Sequence, residues 1–121
     1  MGDGAAVLVV DDDPAIREFV GGALELEGYD VLTAPDGETA LEIVGRREPC
    51  AVLLDMRMPV LDGWGFAAAY RGRPGAHAPV VVMTAAESAR RWADEVGAED
   101  VLGKPFSLDD LLAVVARHCA G

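Results

Sequence analysis

The sequence predicts a doubly wound α/β domain: a five-stranded parallel sheet with helices on both faces. Three observations predict it. Five short apolar runs recur along the chain, at Ala5–Val10, Asp30–Ala34, Ala51–Leu54, Pro79–Met83 and Asp100–Gly103. The first, third and fourth are almost unbroken Val, Leu, Ala and Met. A half-exposed antiparallel strand would alternate apolar and polar, whereas a continuous run is buried on both faces. Finally, each run is followed by a stretch with helical spacing, joined to it by a short connection, which gives β-α five times over with right-handed crossovers.

Strand 1 leads into helix 1, about Pro14–Glu27, where Ile16, Phe19, Val20, Ala23 and Leu24 make one apolar stripe. Asp13 can cap it, Pro14 suits its first turn and Gly28 can end it. Strand 2 precedes helix 2, about Gly37–Arg47, with Ala40, Leu41, Ile43 and Val44 facing inward. Asp62-Gly63 reads as a turn, and helix 3 covers Gly63–Arg71 before the Gly/Pro-rich turn Arg73–Pro79. Helix 4 covers Glu87–Val96. Helix 5 starts at Ser107, where Ser107-x-x-Asp110 resembles a capping box, and ends near Cys119.

At 121 residues the chain is expected to be one domain, 1–121, large enough to bury a core without a metal or disulfide staple. Apolar residues make up 51% and charged residues 26%, which excludes a disordered chain. The net charge of −11 repels phosphate backbones, so direct nucleic-acid binding is not expected. No apolar run approaches the roughly 20 residues of a membrane helix, and MGDGAAVLVV carries no basic segment of a secretory signal. Cys50 and Cys119 are too few for a disulfide framework. The expectation is a reduced, cytoplasmic protein with Cys50 as a small buried hydrophobe.

Asp11, Asp12 and Asp13 follow strand 1, Asp55 follows strand 3, Thr84 follows strand 4, and Lys104-Pro105 follows strand 5. In a parallel sheet these all lie at one edge, where doubly wound folds bind ligands. Lys104 is the sole lysine among the 10 cationic residues. Caps and turns explain one or two polar residues there, but not this set. Crowded carboxylates need a cation, and without a neighbouring His or Cys the donors are hard oxygens, which suit Mg²⁺. Three carboxylates, about −3, are balanced by Mg²⁺ and Lys104, about +3. Such a site fits phosphoryl transfer to an aspartate, with Lys104, Thr84 and backbone N–H groups as donors to the new oxygens.

The stretches VLVVDDDPAIR at 7–17, GYDVLTAPDGETAL at 28–41, LLDMRMPVLDG at 53–63, VVMTA at 81–85 and GAEDVLGKPF at 97–106 resemble response-regulator receiver domains over nearly the whole chain. The resemblance implies a flavodoxin-like sheet of order 2-1-3-4-5 and a two-component role. Asp55 would accept a phosphoryl group from a sensor histidine kinase or phosphotransfer protein. Asp11, Asp12, Asp55 and the Arg57 backbone carbonyl would hold Mg²⁺. Thr84 and Lys104 would meet the phosphoryl group, and a cis peptide bond would precede Pro105. Arg57 and Ala86 occupy positions that tune phosphoryl lifetime in the family.

Two departures bear on the output. Val101 stands where the family commonly has Tyr or Phe, and the stretch from Thr84 to Lys104 is slightly short. The two-state element is then expected to be the loop from Thr84 to Glu87 together with helix 4, with Trp92 reporting phosphorylation more than Val101.

Other residues keep two readings at this stage. Asp13 is a helix cap or an outer contact of a metal-bound water. Trp64 is expected to pack, Trp92 packs or marks a partner surface, and His118 suits a helix end. A haloacid-dehalogenase-type phosphatase is a rival, since Asp11-x-Asp13 resembles its nucleophile motif, but Ala15 replaces the hydroxyl expected there and no cap segment fits. A phosphorylation-independent module is a third class: the retained Asp11, Asp12, Asp55, Thr84 and Lys104 oppose it and Val101 favours it. The chain stops just after helix 5, as a stand-alone receiver or one excised from a longer protein; a downstream target or a missing output domain would then read the signal.

Overall fold

The computed structural model describes residues 6–119. Its elements alternate as predicted: β1 Ala6–Val10, α1 Pro14–Leu26, β2 Asp30–Ala34, α2 Gly37–Arg46, β3 Ala51–Leu54, α3 Gly63–Arg71, β4 Val80–Ala85, α4 Ala86–Val96, β5 Asp100–Lys104 and α5 Leu108–His118. The expected start of strand 1 at Ala5 lies outside the described residues. The five strands are parallel in the order β2-β1-β3-β4-β5.

The continuous apolar runs are divided by the pleat, which sends alternate side chains to opposite faces. Leu8, Val10, Val52, Leu54, Val80 and Val82 pack with Phe66, Tyr70 and Trp92, under α2, α3 and α4. Val7, Val9, Leu53, Val81 and Met83 pack with Val20, Leu24, Leu111 and Val114, under α1 and α5. Two cores back to back therefore bury β1, β3 and all of β4 but its last residue, while the edge strands β2 and β5 stay partly exposed.

Four helices start on a side-chain cap. Asp13 accepts from Ala15 N–H, Asp36 from Thr39, Asp62 from Gly65, and Ser107 forms a full capping box with Asp110. The helix α4 differs: its N-cap is Ala85, which makes no side-chain hydrogen bond.

Two expectations are corrected. The strand placed at Pro79–Met83 runs instead over Val80–Ala85, because Thr84 pairs with Gly103 and Ala85 with Lys104. Thr84 and Lys104 thus belong to the last rungs of the ladder rather than to the loops beyond it. The cysteines are not free: Cys50 and Cys119 form a disulfide, with Cα atoms 5.4 Å apart. A separation of 69 residues gave no local sign of this pairing. The fold brings the entrance of β3 to the end of α5.

Among the described residues no helix is long and apolar enough to cross a membrane.

Candidate functional site

Strand order builds the site. β1 and β3 are neighbours, with Val10 in register with Leu54, so the residues that follow, Asp11 and Asp55, emerge side by side. Their backbones are fixed by the last sheet bonds, Asp55 N–H to Val10 C=O at 2.8 Å and Asp11 N–H to Ala34 C=O at 3.1 Å. Asp11 is fully buried and Asp55 nearly so, while Asp12 is exposed. Each of the three offers a carboxylate oxygen, and these oxygens lie within 4.8 Å of one another.

Lys104 reaches the cluster from β5. Its Nζ donates to Asp11 Oδ2 at 2.8 Å and stands 3.8 Å from Asp55 Oδ1. Asp55 Oδ1 also accepts from the Met56 N–H at 3.0 Å, and Asp11 Oδ1 accepts from the Asp13 N–H at 2.9 Å. These donors do not offset the crowding. Burial, then the charge of Asp11, pushes the Asp55 carboxyl up to about 6, against the opposing pull of Lys104 and Met56 N–H. Thr84 is buried beside them on β4, one rung before the Ala85–Lys104 pair. The Lys104–Pro105 peptide bond is cis, as the resemblance implied.

The loop after Asp55 folds back tightly on itself. A Cβ at Gly63 would lie 2.8 Å from the Asp55 carbonyl oxygen and 2.7 Å from Met56 Cα, so only glycine allows α3 to begin there. Gly63 N–H donates to Met56 C=O at 2.9 Å. The Asp62-Gly63 turn is thus the cap of α3 and the closure of the site loop at once.

The residues picked out from the sequence separate into two groups. Asp11, Asp12, Asp55, Thr84 and Lys104 converge at the carboxyl edge. Asp13 turns away, its Oδ1 engaged as the α1 cap. Arg57 is exposed and makes no ion pair with a described residue; its guanidinium lies over the Trp92 ring, 5.0 Å from the centroid. No local period marks that contact, which joins a loop residue to one 35 positions later on α4. Trp92 itself is 9% exposed and meets Trp64 edge-on at 5.0 Å. Packing, rather than a free partner surface, therefore describes both tryptophans. Val101 is half-buried against the same core.

The sequence model of the response regulator receiver domain matches residues 7–116. The chain belongs to that family. This receiver is 44% identical over 109 residues to the response regulator MprA of Mycobacterium sp. (strain KMS), a match covering 88% of this chain and 47% of the relative. The chain thus spans about half the length of the curated relatives it matches. The receiver domain of NtrX from Brucella abortus is similar with a TM-score of 0.83 at 34% identity, covering 94% of this chain and 98% of that one. The receiver domain of the sensor histidine kinase PA1611 from Pseudomonas aeruginosa PAO1 has a TM-score of 0.87 at 30% identity, with 98% and 99% coverage. That structure has a magnesium ion coordinated in its active-site cleft. Family membership places the present receiver in two-component signalling and confirms the expected fold.

Proposed function

We propose that Asp55 accepts a phosphoryl group from a phosphohistidine of a sensor histidine kinase or phosphotransfer protein. The observation that carries this reading is the convergence of Asp11, Asp12 and Asp55 carboxylate oxygens within 4.8 Å, with Lys104 as the one cation paired with those carboxylates among the described residues. The donor set fits Mg²⁺: all three side chains offer hard oxygens, and among the described residues no nitrogen or sulfur donor joins the cluster. Asp11, Asp12, Asp55 and the Arg57 backbone carbonyl would hold the ion. When bound, it would supply charge neutralisation for the incoming phosphoryl oxygens.

In the transfer, an Asp55 carboxylate oxygen forms a bond to phosphorus as the histidine N–P bond breaks. The electron pair returns to the imidazole nitrogen, which takes a proton. Lys104, bonded to Asp11 in the resting site, is placed to donate to a phosphoryl oxygen, and Thr84 supplies a hydroxyl donor. Water then attacks the phosphorus of the acyl phosphate, the P–O bond to Asp55 breaks, and inorganic phosphate leaves with the Asp55 carboxylate restored. This chain promotes only its own phosphorylation and dephosphorylation; it is a signalling phosphoacceptor rather than a turnover enzyme. The signal passes through the surface of α4 and β5 to a protein target or an output domain. The reading places the chain in the cytoplasm, with no direct part for nucleic acid or membrane.

Intact mass after incubation with acetyl phosphate and Mg²⁺ tests it. One phosphoryl adduct is expected in the wild type and none in Asp55→Asn; no adduct in the wild type, or the same adduct in the variant, overturns the assignment. In Asp12→Ala, titration calorimetry should show Mg²⁺ affinity weakened about tenfold or more through loss of a direct carboxylate ligand. Unchanged affinity would remove Asp12 from the metal set.

A further inference from the structure

The side chain of Arg57 is two residues from Asp55, in a loop bordering three carboxylates, yet it ion-pairs with none of them. It lies instead over Trp92, 5.0 Å from the ring centroid, on the neighbouring helix α4. The indole is held in place for this. It is nearly buried, it meets the edge of Trp64 at 5.0 Å, and Trp64 Nε1 is itself anchored by donation to Glu95 Oε1 at 2.9 Å. A second guanidinium, from Arg91, lies 5.9 Å from the same ring. Two like charges sharing one π-system weaken each other's hold, and a solvent-exposed guanidinium such as that of Arg57 is bound only modestly. The acidic pocket is the competing site for Arg57, with carboxylates in excess over cations.

We infer that Trp92 is a positioning residue that keeps the Arg57 guanidinium out of the acidic pocket. The inference rests on the reading of Asp11, Asp12 and Asp55 as a Mg²⁺-dependent phosphoacceptor site. Release of the guanidinium from Trp92 lets it compete with the metal for the carboxylates. A gain of negative charge at Asp55 draws the guanidinium the same way and strips a contact from α4. The stack therefore ties charge in the pocket to the position of α4, with no aromatic residue required at Val101. Substituting Arg57 alters only the side chain and leaves its backbone carbonyl in place.

A double-mutant cycle read by Mg²⁺ calorimetry isolates this coupling. Trp92→Leu should weaken Mg²⁺ binding at least about threefold when Arg57 is present, and should have little effect in Arg57→Gln. Trp92→Phe, which keeps a ring and protects against loss of folding, should fall between. Additive effects, with the same weakening in both backgrounds, would make Trp92 a structural residue only and overturn the inference. A second readout needs no metal. With Trp64→Phe leaving Trp92 as the one indole, its emission should change when Arg57→Gln is introduced into the metal-free protein; an unchanged spectrum would also overturn it. Absence of Mg²⁺ binding in the wild type would instead overturn the underlying reading of the site, and the inference with it.

Discussion

The two edges of the sheet hold similar side chains in opposite states. At the amino edge, Glu48 accepts from the Tyr70 hydroxyl and from Ala78 N–H, and Glu99 from Arg71 and Val80 N–H. Asp100 accepts from Arg117, His118 and Val101 N–H. Among the described residues donors are even in surplus there, since Arg71 Nε and Arg73 Nη1 are buried without an acceptor. At the carboxyl edge the surplus is reversed: three carboxylates gather around one lysine.

Two aspartates measure the difference. Burial pushes Asp100 upward, but hydrogen bonds from His118, Val101 N–H and Arg117 outweigh it and hold its carboxyl below the ordinary range. Burial and Asp11 push Asp55 up to about 6, and its partners do not offset them. One edge is closed by its own contacts; the other keeps its carboxylates in excess over its cations.

The largest effect that would sharpen this contrast belongs to the closed edge. The Cys50–Cys119 bond spans 69 residues, and loop entropy alone gives such a link roughly 4 kcal/mol. Reduction, or Cys119→Ser, should lower the unfolding free energy by about 2–4 kcal/mol in a urea titration, while Asp55 remains phosphorylatable by intact mass. Equal stability with and without reductant would show that the amino edge does not depend on the bond.

Next in size is the pH dependence of the metal-free protein. The native Asp55 binds its proton more tightly than the unfolded chain does. Its contribution is therefore fully present below the ordinary carboxylate value of 3.8 and is lost as pH rises toward about 6. Asp55→Asn should stabilise the metal-free protein by up to about 2–3 kcal/mol above pH 7, with the gain gone near pH 4. Asp100 has the opposite sign. Its depressed value gives stability above the ordinary carboxylate range that disappears as pH falls through the native value, so Asp100→Asn should cost about 1 kcal/mol at pH 7 and little in acid. Denaturant titrations of both variants at several pH values check the pair. Parallel pH profiles would erase the distinction between the edges.

The smallest effect lies in the site loop. Val60 has φ 70° and is 73% exposed, the one non-glycine residue with positive φ among those described. A β-branched residue is strained in that region, and little burial compensates it. Val60→Gly should raise stability by about 1 kcal/mol, read as a higher urea midpoint; a drop would mean that the valine makes a contact worth more than its strain.

The elements were legible because three of the strands are almost unbroken apolar runs and four of the helices carry a polar side-chain cap in the sequence. The convergence of Asp11, Asp12, Asp55, Thr84 and Lys104 was legible because parallel strands bring all their carboxyl ends to one edge. The extension of β4 through Ala85 was not, since it depends on pairing with Gly103 and Lys104 across the sheet. The Cys50–Cys119 bond and the Arg57–Trp92 stack were hidden for the same reason: both join side chains far apart in sequence, with no local period to mark them.

The missing cap at Ala85 bears on where this fold first melts. Opening α1, α2, α3 or α5 from its first turn means breaking a side-chain bond, typically about 1 kcal/mol. The leading amides of α4 have no such side-chain bond to break. Close beneath them, a Cβ on Gly103 would come within 2.8 Å of Ala86 Cα, so the turn is blocked from sinking inward and yields by lifting outward. Amide exchange should accordingly be fastest, among the five helix starts, in the turn that directly follows Thr84. Thermal fraying and the signal would then enter the molecule at the same few residues.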